Sequence, residues 1–172
     1  MGDDLRQLLD RELIKETKAR YFRYMDTKQW DKWRTCFTDD CRFEMSKDID
    51  DPDEWVRYVA GNVHGARTAH HGHMPEITFT GTDSARVIWA MYDIVEFSEA
   101  ADGFAGFGHY EADEGRGFAG FGYYEEEYRR VGDEWKISFM RLTRLRVDAL
   151  LGEPGRSMEI PNDRRPSLDW LP

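Results

Sequence analysis

The run from Ala85 to Phe97, ARVIWAMYDIVEF, constrains the fold most, because its alternation is that of a strand with one buried face. Alternation places Trp89, Met91, Asp93 and Val95 on one side. Asp93 is then a charge among apolar neighbours, costly unless it is paired. Just upstream, TAHHGHMPEITF (Thr68 to Phe79) supplies imidazoles. By the same parity His70 points one way while His71 and His73 point the other, so the three cannot line one site. His71 and His73 lack a nearby carboxylate or thiol at ligand spacing, so no metal is expected. A histidine is the natural partner for Asp93. A carboxylate bound to one imidazole nitrogen leaves the other free to move protons, which suits proton abstraction beside a carbonyl. A purely structural His–Asp pair between two strands is the plainer alternative.

Leu5, Leu8, Leu9, Ile14, Thr17, Tyr21 and Met25 recur at helical spacing and predict a long amphipathic helix ending near Asp26. A shorter helix is expected through Trp30, Trp33 and Phe37, then a strand from Cys41 to Met45. A third helix opens at Asp51-Pro52-Asp53-Glu54 and closes at Gly61 or Gly65. From Ala66 to Val147 short β-rich runs follow, with turns at Gly81-Thr82-Asp83 and Gly132-Asp133. Helices first and an antiparallel sheet second mean an α+β domain over residues 1–150. Residues 151–172, with four prolines after Gly152, read as an extended tail whose Leu168, Trp170 and Leu171 suggest docking.

Within this frame lies a tandem repeat: GFAGFGHYEADEGR (Gly103 to Arg116) is followed directly by GFAGFGYYEEEYRR (Gly117 to Arg130). The period is even, so either copy preserves strand alternation. The second is assigned to the main sheet because it runs on into the hairpin EEEYRRVGDEWKI.

At 172 residues the chain suits one domain, and six tryptophans favour a pocket for a greasy or ring-shaped ligand. A net charge of −10 without a basic stripe argues against nucleic acid and anionic membranes as partners. The charged start, MGDDLRQLLDRELIKE, and the lack of a long apolar run point to a cytoplasmic protein. Cys36 and Cys41 read as reduced core thiols.

Three further groups qualify as candidates. Tyr21 lies on the helical stripe and its hydroxyl needs a partner; Asp26 sits at a helix C-terminus, where negative charge is disfavoured. Their spacing keeps them apart unless the helix loosens. Arg141, Arg144 and Arg146 share the last strand, as a solvated face or as an anion anchor. His64 and the partly solvated acidic run Glu125, Glu126, Glu127 are given no catalytic role.

At IKETKARYFRYMDTKQWDKWRTCFTDDCRFE, TAHHGHMPEITF, WAMYDIVEF, GFGYYEEEYRRVGDEWKI and LTRLRVD, the chain resembles the nuclear transport factor 2-like superfamily. The resemblance runs from Leu5 to Asp148 and is to the SnoaL-like branch, with scytalone dehydratase and bile-acid 7-alpha-dehydratase. It implies a cone-shaped fold: a curved, mixed, mostly antiparallel sheet wrapped around N-terminal helices, enclosing an apolar pocket that works without a cofactor. Carried over, Tyr21, Asp26, His70, Asp93 and Arg144 (or Arg146) are the catalytic positions. Tyr24, Tyr58, Trp89 and Tyr124 are the expected substrate contacts. The implied protein is a homo-oligomer, trimer or dimer, acting on a small hydrophobic substrate. Its activity would be dehydration of a hydroxylated polycyclic or aromatic carbonyl compound, with isomerisation, polyketide-type cyclisation or ligand binding alone as alternatives.

Overall fold

The computed structural model describes residues 2–97 and 115–151. Helix α1 (Gly2–Asp26) is followed by α2 (Trp30–Arg34), β1 (Phe37–Glu44), β2 (Asp48–Ile49) and α3 (Pro52–Val63). Four long strands come next: β3 (Ala66–Gly81), β4 (Ser84–Phe97), β5 (Gly115–Val131) and β6 (Glu134–Leu151). They form one curved six-stranded sheet in the order β2-β1-β6-β5-β4-β3. All pairings are antiparallel except β1 with β6, so the sheet is mixed, as the fold class expected.

Local chemistry explains the helix ends. Asp51 caps α3, its carboxylate accepting the Asp53 and Glu54 backbone N–H groups at 2.7 and 3.3 Å, with Pro52 in the first turn. That helix runs through Gly61 and stops at Val63, so of the two expected glycines only Gly65 lies beyond it. Helix α1 ends in a Schellman motif: the Gln29 N–H reaches Tyr24 O at 2.8 Å and the Lys28 N–H reaches Met25 O at 3.1 Å. Lys28 takes the left-handed position at φ 60°, where glycine is the usual occupant.

The core lies between α1 and the concave sheet face. Ile14, Thr17, Tyr21 and Met25 of α1 are buried, as are Val87, Trp89, Met91 and Val95 of β4 and Ile137 and Met140 of β6. Thr17 Oγ1 ties the helix to the sheet by donating to Trp135 O at 2.7 Å. The stripe begins later than expected, since Leu5, Leu8 and Leu9 are exposed; the first buried α1 side chain is Asp10, which binds Arg130 and the Trp135 indole. Phe37, assigned above to the second helix, opens β1 instead.

A second correction concerns Glu126, which is buried rather than solvated. It receives the Lys18 ammonium, and both side chains are at most 1% exposed. The Tyr128 hydroxyl donates to its other oxygen at 2.7 Å. Lys18 also lies over the rings of Tyr21 and Tyr124, 4.1 and 3.8 Å from their centroids. Burial drives the Lys18 pKa below that of an ordinary lysine, and Glu126 opposes this.

Of the two repeat copies, the second forms β5, pairing with β4 from Glu96↔Gly117 to Ser84↔Arg129 and with β6. The rest of the first copy (103–114) and the tail (152–172) lie outside the described residues. No helix among the described residues is long and apolar enough to cross a membrane.

Candidate active site

Strand β3 pairs with β4 so that His70 stands opposite Asp93, both facing inward and 6% and 2% exposed. Adjacent in register, they are nonetheless not hydrogen-bonded: His70 Nε2 is 3.9 Å from Asp93 Oδ2. The imidazole is held by Asp26 instead. Asp26 Oδ1 lies 2.7 Å from His70 Nδ1, and Oδ2 accepts the His70 backbone N–H at 2.8 Å. The Thr68 hydroxyl donates to Oδ1 at 2.9 Å. A carboxylate can only accept here, so Nδ1 donates and the Nε2 lone pair is left for the cavity.

Asp93 has its own partner. Arg144 grips it with two hydrogen bonds, Nη1 to Oδ1 at 2.7 Å and Nη2 to Oδ2 at 2.8 Å. The expected pairing is therefore corrected: Asp26 orients His70, and Asp93 is matched to arginine. Arg146, the alternative on β6, points outward, 70% exposed and bound to Asp148. A β-bulge separates the two arginines, because Gly122 pairs with Arg144 while Phe121 pairs with Arg146, leaving Leu145 as the extra, exposed residue. Gly120 of β5 makes room for the guanidinium, since a Cβ there would land on both Arg144 and Asp93.

These groups open on a narrow cavity at the concave face of the sheet. Met25, Met45, Val59, Val63, Val95, Phe118 and Leu142 supply its apolar wall. Its polar lining is His70, Asp93, Arg144, Tyr21, Tyr124, Trp55, Tyr58 and Asn62. Burial above all raises the pKa of Tyr21 well beyond the ordinary phenol value, and that of Tyr124 too, so both remain protonated donors. Tyr21 OH donates to the Met140 sulfur at 3.6 Å. The Trp55 indole N–H, buried against the stacked Phe43 and Tyr58 rings, meets no acceptor among the described residues. Tyr21 and Asp26 do not touch: the former lines the cavity, while the latter closes on β3.

Two expected substrate contacts fall elsewhere. Trp89 is in the core and Tyr24 packs beneath the Arg23 and Lys32 cations; neither lines the cavity. His71 and His73 stack 6.2 Å apart, and both are exposed, away from His70. A larger concavity, about 1060 Å³, lies on the outer sheet face. It is an open groove of exposed ion pairs, Arg141 with Glu44 and Glu125, and Arg86 with Glu127. Its one buried carboxylate, Glu126, is already taken up by Lys18, so the inner cavity is the candidate site.

Sequence reasoning missed Thr68, Lys28, Trp55, Asn62 and the Lys18–Glu126 pair. The last was legible in principle: Lys18 falls on the stripe of Ile14 and Tyr21, and Glu126 alternates with the inward Tyr124 and Tyr128.

A curved sheet closed over N-terminal helices, with titratable groups buried at its concave face, defines a cone-shaped protein of the nuclear transport factor 2-like kind. A model of the SnoaL-like domain matches residues 6–141, and the chain belongs to that family. "Probable cyclase FGR4" of Gibberella zeae is 23% identical over 148 residues, 77% of this chain and 89% of the relative. Among solved structures, a scytalone-dehydratase-like protein from Novosphingobium aromaticivorans superposes with a TM-score of 0.71 at 17% identity, over 90% of this chain and 97% of that one. The hexachlorocyclohexane dehydrochlorinase LinA-type3 from Novosphingobium barchaimii gives 0.69 at 18% identity, over 88% and 97%. At such identities the superpositions establish the fold.

Proposed function

We propose that the protein is a lyase that dehydrates a hydroxylated, hydrophobic cyclic carbonyl compound by base-catalysed proton abstraction. The observation that carries this reading is the 2.7 Å contact between Asp26 and His70 Nδ1, which leaves Nε2 as a base at the wall of a largely apolar cavity. His70 Nε2 takes the proton from the carbon beside the carbonyl. The enolate oxygen that develops accepts a hydrogen bond from Tyr21 or Tyr124. Asp26 holds the ring and, with Asp93 at 3.9 Å, stabilises the imidazolium. The carbon–oxygen bond then breaks, the imidazolium returns its proton to the departing hydroxide, and water and an unsaturated carbonyl compound leave. Arg144 fixes Asp93 and keeps the cavity wall from carrying an unmatched charge. Trp55 N–H and Tyr58 are positioned for a second substrate oxygen. The roles belong to side chains of residues 1–150 and call on no cofactor.

Cyclisation or isomerisation needs the same base and carbonyl donor without a leaving hydroxyl, and the Gibberella zeae relative favours keeping it as the second reading. The test is turnover of a panel of hydroxylated ketones and naphthols by wild type and His70→Ala, followed by product mass. Loss of water only with wild type supports dehydration. Turnover at unchanged mass moves the reading to isomerisation, and full activity in His70→Ala overturns both.

A further inference from the structure

Lys28 is the one positive-φ residue other than glycine among the described residues, and it stands where a helix terminus ordinarily places glycine. A lysine in that conformation costs backbone energy of order 1 kcal/mol, so its side chain must return something. That side chain turns inward: Nζ donates to Thr68 Oγ1 at 2.7 Å, and Thr68 Oγ1 donates onward to Asp26 Oδ1 at 2.9 Å. An ammonium can only donate. Its hydrogen bond therefore occupies a Thr68 lone pair and directs the hydroxyl hydrogen at Asp26.

The charges also sum. The groups facing His70 are Asp26 from α1, Asp93 from β4, Arg144 from β6 and the neutral phenols of Tyr21 and Tyr124. Without Lys28, two carboxylates stand against one guanidinium, and the surplus negative charge favours an imidazolium. With Lys28 the formal charges of the cluster balance. Around Lys28 itself lie Asp26, Thr68 and the Trp30 ring; no carboxylate forms a direct ion pair with it among the described residues.

We propose that Lys28 is a positioning residue of the Asp26–His70 pair, acting through Thr68 to orient the hydrogen-bond chain and balance the charge around the imidazole. This rests on the reading of His70 as the base. The relay has a natural limit, because burial brings Lys28 down to about 8, and above that pH its positive charge is lost.

The test is an NMR titration of the His70 ring in 15N-histidine-labelled protein, with folding verified on backbone amide spectra. In wild type the ring signals should show a secondary inflection near pH 8, reporting Lys28. Lys28→Met should lack it, with the main His70 titration displaced upward by about one pH unit. Lys28→Arg should keep the wild-type main titration and lack the inflection. Thr68→Val, which retains the amine but cuts the chain, should strongly reduce it. An unchanged titration in Lys28→Met, or failure of arginine to restore it, overturns the proposal. Because the titration reads the ring in the absence of turnover, an inactive panel or an active His70→Ala would sink the proposed chemistry without touching this result.

Discussion

Replacing Lys18 by methionine keeps most of the side-chain volume and removes the ammonium, leaving Glu126 buried at no measurable exposure with Tyr128 OH as its remaining donor. Stranding one member of a buried ion pair costs about 3–5 kcal/mol, a large part of the roughly 5–15 kcal/mol that holds a domain folded. At roughly 2–4 °C per kcal/mol for a chain of this size, the melting temperature should fall by about 10 °C. The double variant Lys18→Met/Glu126→Met removes both charges and should recover most of the loss, ending within about 2 kcal/mol of wild type. Urea unfolding of wild type, both single variants and the double variant completes the cycle. A Lys18→Met cost below about 1 kcal/mol, or a double variant that loses the sum of the two singles, would refute the reasoning.

Gly120→Ala should displace the Arg144 guanidinium from Asp93 and cut turnover about a hundredfold, the scale of a small misplacement in a preorganised site. Kinetics at saturating substrate checks this, and wild-type rates in that variant would show the pair to be idle. Lys28→Met should be more stable than wild type at pH 7. The sign follows from linkage: Lys28 titrates at about 8 when folded and at the ordinary 10.5 when unfolded, so stability rises with pH across that window and the cost is fully present below it. Urea midpoints should therefore converge as pH approaches 10, and a gap that widened with pH would contradict the assignment.

Periodicity made the architecture readable. Alternation in β4 and the turns at Gly81 and Gly132 located the strands, and Asp51-Pro52 located the start of α3 almost to the residue. The site was readable in composition but not in wiring. His70 and Asp93 are opposite each other on paired strands, as the family resemblance implied, yet Asp26 reaches the imidazole from a helix end, a contact that no local period encodes. Arg144 and Arg146 have the same parity in the sequence; only the extra residue Leu145 sends them to opposite faces, and a bulge leaves no such mark on the chain. Leu5, Leu8 and Leu9 show the converse, a helical pattern extending past the sheet that buries the rest of α1.

The tandem repeat bears on the Lys18–Glu126 pair. Residue for residue, the first copy offers Phe104, Gly106 and Tyr110 where the second offers Phe118, Gly120 and Tyr124, so either would furnish the same cavity wall. The copies part company beyond it: Ala112 corresponds to Glu126, and Glu114 to Tyr128. Were the first copy to occupy β5, Lys18 would face alanine, and Glu114 would stand in the buried place of Tyr128. The copy that forms β5 is thus the one that carries the counter-ion of the buried lysine, and its near-identical neighbour fourteen residues upstream offers alanine at that place.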